Sequence, residues 1–122
     1  MSKDFFTTIE EIRQKDARYK TDAYEFVMQA LGHTQKKLKR KGHVTGKELL
    51  AGMREHGLEL YGPMTKTVFS HWGIYTTHDF GQVVFNMVNV GLLGKTDDDT
   101  VEDFRDVYDF DEALDVFQVK KR

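Results

Sequence analysis

Trp72-Gly73-Ile74-Tyr75-Thr76-Thr77-His78-Asp79-Phe80-Gly81-Gln82-Val83-Val84-Phe85-Asn86-Met87-Val88 carries the clearest structural instruction in the chain. Phe80, Val83, Val84, Met87 and Val88 recur at the i, i+3, i+4, i+7, i+8 spacing of a core-facing helical stripe. Thr76 and Asp79 have the spacing of a capping box, in which each side chain accepts from the other residue's backbone amide. The pattern predicts a helix from Thr77 to about Val90, closed by Gly91. Before it, Gly73 supplies the positive φ angle that a turn between two crossed helices needs.

Upstream, Thr45-Gly46-Lys47-Glu48 repeats the capping-box spacing. The helix it opens turns Leu49, Leu50, Met53 and Leu58 inward and ends near Tyr61-Gly62-Pro63. A short helix is expected from about Met64 to Trp72, with Val68, Phe69 and Trp72 apolar. Further upstream, Phe5, Ile9 and Ile12 mark a helix over about 4–16. Tyr24, Val27, Leu31 and Leu38 mark another over about 22–40, ended by Gly42. His43-Val44 reads as a short strand. Downstream, Leu92-Leu93 reads as the start of a strand and 94–102 as a polar loop. The run Phe104 to Asp109 reads as a returning strand, and Asp111 as the N-cap of a last short helix carrying Ala113, Leu114 and Phe117.

Three helices followed by strand, loop and strand is the order of a winged helix. The expected fold is therefore mainly α and winged-helix-like: a helix-turn-helix core with a two-stranded wing, plus N-terminal helices, in one domain over 1–122.

The composition excludes several classes. Cysteine is absent, which removes disulfides, thiolate zinc sites and cysteine nucleophiles. No apolar run approaches the ~20 residues of a membrane span. The start Met-Ser-Lys-Asp has no signal-peptide apolar run, so a cytoplasmic location is expected. The net charge of −2 hides a lopsided distribution. Lys36, Lys37, Lys39, Arg40, Lys41 and Lys47 form a basic run with no acid among them, whereas 97–115 holds ten acids against Arg105 alone. The tail Lys120, Lys121, Arg122 is basic again. The two runs are expected to face apart, as two partner surfaces.

Candidate chemistry is sparse. On the Thr77–Val90 helix the residues expected to point outward are His78, Gln82, Phe85, Asn86 and Asn89. Gln and Asn can read adenine, but the helix has no Arg or Lys for phosphates, and Asp97-Asp98-Asp99 in the expected wing repels a duplex. Gln82, Phe85, Asn86 and Asn89 are therefore candidates for a partner surface, with Phe85 its aromatic anchor. The basic run Lys36, Lys37, Lys39, Arg40, Lys41 and Lys47 is the better candidate for nucleic acid. His33, His43, His56, His71 and His78 make no HExxH motif, and only His71 and His78, flanking the turn, are expected to approach each other. Asp97-Asp98-Asp99 lacks calcium-loop spacing. Ser2 and Ser70 are the only serines, and Ser70 beside His71 does not make a working nucleophile and base. No catalytic residue, metal centre or cofactor is expected.

The runs His43 to Leu50, Tyr61-Gly62-Pro63-Met64, Thr67-Val68, His71-Trp72-Gly73-Ile74, Asp79-Phe80-Gly81, Val84-Phe85-Asn86, Gly91-Leu92-Leu93 and Val107-Tyr108-Asp109-Phe110 extend over nearly the whole chain. In them the chain resembles a family of small bacterial proteins of the planctomycete and verrucomicrobial type. The resemblance implies a bacterial cytoplasmic protein and brings no activity and no site residues. The expectation from the residues is a non-catalytic binding module with a protein partner. Nucleic-acid or ribonucleoprotein binding through the basic run is the alternative, and a further one is an enzyme whose site is assembled across the fold, signalled by a polar pocket at His71 and His78.

Overall fold

The computed structural model describes residues 4–119, so Ser2 and the tail Lys120, Lys121, Arg122 lie outside the described residues. The chain is mainly helical: α1 Phe5–Lys15, α2 Thr21–Leu38, α3 Gly46–Tyr61, α4 Thr65–His71, α5 Thr77–Asn89, α6 Phe110–Ala113 and α7 Val116–Val119. Two 3₁₀ turns, Gly62–Met64 and Val101–Phe104, complete the order. No helix among the described residues is long and apolar enough to cross a membrane.

Local chemistry sets the helix starts. Asp4 caps α1 by accepting from the Thr7 amide at 2.7 Å. Both capping boxes form: Thr45 and Glu48 exchange bonds of 2.8 and 3.1 Å, and Thr76 and Asp79 bonds of 3.1 and 3.3 Å. The end of α2 differs from expectation. Lys39, not Gly42, takes the left-handed conformation at φ 54°, and its amide reaches back to the Gln35 and Lys36 carbonyls. The turn at Gly73 has φ 92°, and a side chain there would collide with the Arg18 carbonyl oxygen. Glycine is thus required both for the backbone angle and for the loop that packs onto the turn.

The core lies where α2, α3 and α5 meet. Phe26, Phe69, Trp72, Phe80 and Phe110 form an aromatic cluster with a Phe69–Phe80 edge contact at 5.0 Å between ring centroids. Phe80, Val83, Val84 and Met87 are all buried, as the α5 stripe requires. The α2–α3 crossing is close because Gly52 faces Thr34, whose hydroxyl turns back to the Ala30 carbonyl at 2.7 Å.

The expected wing is not present. The described residues contain no strand: His43-Val44 and Leu92-Leu93 pair with nothing in a ladder, and the run from Phe104 to Asp109 begins in a 3₁₀ turn. The physical reason is that its apolar residues are separate anchors. Phe104 seats its ring on two glycines. A Cβ added at Gly46 would lie 2.9 Å from its Cε1, and one at Gly81 2.6 Å from its Cβ. Tyr108 donates its hydroxyl to the Leu50 carbonyl at 2.6 Å, and Phe110 enters the aromatic cluster. Asp106 takes φ 53°, which breaks the extended run. The expected last helix is two short turns: α6 is capped by Asp109, accepting from the Asp111 amide at 2.7 Å, rather than by Asp111, and Phe117 lies in α7. Leu38, expected in the α2 stripe, is exposed, as is Phe117.

Candidate functional site

The segment that replaces the wing closes a cleft. Leu31 and Gln35 of α2, Gly42 to Thr45 of the following loop, and Gly46 and Leu49 of α3 form one wall. Val84, Phe85 and Val88 of α5 form the floor, and Leu93 to Thr96, Asp99, Asp103 and Phe104 the opposite wall. The volume is about 350 Å³, which lies in the range of small-ligand and side-chain sites. The interior is apolar, and the polar groups sit on the walls. His43 Nε2 lies 3.3 Å from an Asp99 carboxylate oxygen, linking the two walls. The Gln35 amide nitrogen donates to the Gly42 carbonyl at 3.0 Å and fixes the loop that forms the first wall. Asp99 also accepts from the Thr96 amide at 2.8 Å, which folds the opposite wall upon itself.

The walls differ in charge. The basic run adjoins the first wall through Gln35, Gly42 and Gly46, which neighbour Lys36, Lys41 and Lys47 in the chain. Lys37 is paired with Glu55 and Arg40 with Glu48, both on α3. Lys36, Lys39, Lys41 and Lys47 are exposed and have no ion pair among the described residues. The second wall carries Asp99 and Asp103, with Lys95 at its start, and Asp97, Asp98 and Glu102 adjoin it in the chain. The expectation that the two charge runs face apart is thus revised. Their near ends form opposite sides of one cleft, and His43–Asp99 is the contact between them.

The partner-surface candidates on α5 separate. Phe85 lines the cleft and packs edge-on against Phe104, with centroids 6.2 Å apart, so it is half-buried instead of projecting freely. Asn86 is turned into the fold: its amide donates to Asp16 at 3.0 Å and to the Tyr24 hydroxyl at 3.1 Å. Gln82 lies 3.4 Å from Arg18 and from His78. Asn89 alone of the four is exposed. The reason is that α5 is covered on one side by the Val101–Phe104 turn and on the other by α1 and α2, which leaves no free recognition face. Around Asn86 the Arg18 guanidinium holds Asp16 well below the usual carboxylate range, with the Asn86 amide assisting. Tyr19, buried and bonded to Asp79 at 2.7 Å, has its pKa raised, by burial first. These bonds fix the α1–α2 connection to the helix turn.

Of the histidines, His78 faces Glu102 at 3.9 Å and His71 is exposed at the end of α4. The pair that the fold brings together is His33 and His56, with ring centroids 5.1 Å apart between α2 and α3. Burial lowers the His56 pKa, His33 adds to that effect and Glu59 opposes it. A separate surface hollow of about 470 Å³ is lined by Lys66, Tyr75, Tyr108 and Phe110 among others, and the Lys66–Asp111 pair lies on its lining. The sequence does not reveal the cleft because most of its far wall, 94–102, reads as the solvated loop of a wing, whereas Phe104 anchors that segment onto α5 and α3. The signal that points to it is glycine inside helices, at Gly46 and Gly81, where a bulky residue from elsewhere must be seated.

No family model, curated protein or solved structure matches the chain.

Proposed function

We propose that this chain is a non-catalytic bacterial cytoplasmic binding module whose cleft takes an apolar side chain presented by a protein partner. The supporting observation is a cavity of about 350 Å³ with an apolar floor. One wall is flanked in the chain by the exposed Lys36, Lys41 and Lys47, and the other carries Asp99 and Asp103. The floor of Val84, Phe85 and Val88 gains by excluding water from a partner's aliphatic or aromatic residue. Lys36, Lys41 and Lys47, without ion pairs among the described residues, attract a carboxylate flanking that residue. The acidic wall selects against a continuous polyanion. A duplex or RNA lying along the basic run meets Asp99 and Asp103 across the cleft, so nucleic acid is the weaker reading.

The test is selection from a displayed random-peptide library on the full chain, in parallel with Val88→Trp, which fills the cleft. The expected outcome is enrichment of segments with a large apolar residue beside Asp or Glu, lost with Val88→Trp and weakened by Lys36, Lys41 and Lys47→Gln. Enrichment unaffected by Val88→Trp, or no enrichment while mixed-sequence RNA binds at low salt, refutes the reading.

A further inference from the structure

We infer that His33, His56 and Glu59 form a binding site for one late first-row divalent metal ion, of the zinc class, between α2 and α3. The site follows from how the helices cross. Gly52 and Thr34 let α2 and α3 approach closely, and one residue away from Thr34 the His33 ring meets the ring of His56. On α3, Glu59 stands three residues after His56, on the same helix face. One ligand atom from each of His33, His56 and Glu59 lies within 4.8 Å of the others. Around a tetrahedral zinc ion such atoms stand about 3.4 Å apart, so side-chain rotation without backbone movement closes the set. Glu59 is exposed and free to make that rotation, and the site is open to solvent on that side.

The second, independent observation is the state of His56. Both of its ring nitrogens are cut off from solvent, and neither has a hydrogen-bond partner among the described residues. Its ring stacks on Phe26 at 5.5 Å and 30°, which fixes the plane of the imidazole. Buried polar atoms in native proteins nearly always have partners, and an orphaned pair asks for an explanation. A metal ion held by one of the two nitrogens gives that nitrogen its partner.

The surroundings fit. His33 Nε2 is 2.8 Å from Glu55, the carboxylate–histidine arrangement that orients metal-bound imidazoles. Lys37 pairs with the other Glu55 oxygen and tempers the local negative charge. Two imidazoles and a carboxylate suit zinc, cobalt, nickel or copper better than calcium or magnesium, which prefer all-oxygen sets. With three protein ligands the fourth position is left to water. The ion ties the second half of α2 to α3, just before the loop that forms the basic wall of the cleft. This site departs from the expectation of no metal, and its test is independent of peptide binding.

The experiment is calorimetric titration of the full chain with Zn²⁺ in a non-chelating buffer, with Co²⁺ as a visible-absorption probe. One equivalent should bind, and Co²⁺ should give the intense visible bands of a four-coordinate site. His56→Gln and Glu59→Gln should each weaken binding by tenfold or more, and Glu55→Gln by about tenfold or more. His43→Gln and His71→Gln should leave it unchanged. Circular dichroism verifies folding, and Glu59→Gln, at an exposed position, serves if His56→Gln does not fold. No saturation at one equivalent overturns the inference. So does binding that survives Glu59→Gln, or binding lost with His43→Gln or His71→Gln.

Discussion

Replacing Gly81 by alanine tests the seat of Phe104, on which the cleft depends. In a free helix the change stabilises by about 1 kcal/mol, because glycine is the poorer helix former. Here the new Cβ would lie 2.6 Å from the Phe104 Cβ and 2.8 Å from its Cγ. Those atoms sit next to the backbone, so the Val101–Phe104 turn itself must move. Overpacking of this kind costs about 1–3 kcal/mol, and the clash belongs at the upper end of that range. The net effect is a loss of about 1–2 kcal/mol, or roughly 4–8 °C in melting temperature for a domain of this size. Phe104→Ala alone should cost about 3–5 kcal/mol, as a buried phenylalanine does. Without the ring to pin it the turn can shift, so Gly81→Ala in the Phe104→Ala background should become neutral or stabilising by up to ~1 kcal/mol. Urea denaturation of the four proteins reads this directly. A Gly81→Ala that stabilises the wild type, or that is equally harmful in both backgrounds, refutes the packing described for Phe104.

Other outcomes follow from the same geometry. Val84→Asp buries an unpaired charge and should lower stability by several kcal/mol, whereas Gln82→Asp, near Arg18, should change it by less than about 1 kcal/mol. Thr76→Ala removes the α5 cap and should cost about 1 kcal/mol in thermal unfolding. Asp16, depressed in the folded state by Arg18, binds its proton more readily when unfolded. Its contribution is therefore complete above the unfolded carboxylate value of about 4 and is lost as pH falls below it. Acid unfolding followed by circular dichroism should accordingly show a flatter low-pH limb in Asp16→Asn.

The helices were legible because local chemistry determined them. Thr45 with Glu48 and Thr76 with Asp79 need no tertiary context to form capping boxes, and the Phe80, Val83, Val84, Met87 stripe has one inward direction. The C-terminal third was not legible in the same way. Phe104, Tyr108 and Phe110 are spaced like alternating strand residues, yet each has a different destination: a glycine seat, a backbone carbonyl on α3, and the aromatic cluster. Spacing cannot distinguish a pleated face from a row of separate anchors. Asn86 was misplaced for a related reason. A polar residue opposite an apolar stripe is expected in water, but Asp16 and the Tyr24 hydroxyl come from elsewhere in the chain to meet it. His33 and His56 are 23 residues apart, and only the Gly52–Thr34 crossing shows that they meet.

The binding claim is tested most directly by amide chemical-shift mapping with an enriched apolar–acidic peptide. The shifts should concentrate at Gly42 to Gly46, at Val84, Phe85 and Val88, and at Leu93 to Phe104, and should vanish in Val88→Trp. Shifts centred on Gln82, Asn86 and Asn89, or confined to the exposed end of α2, would contradict it.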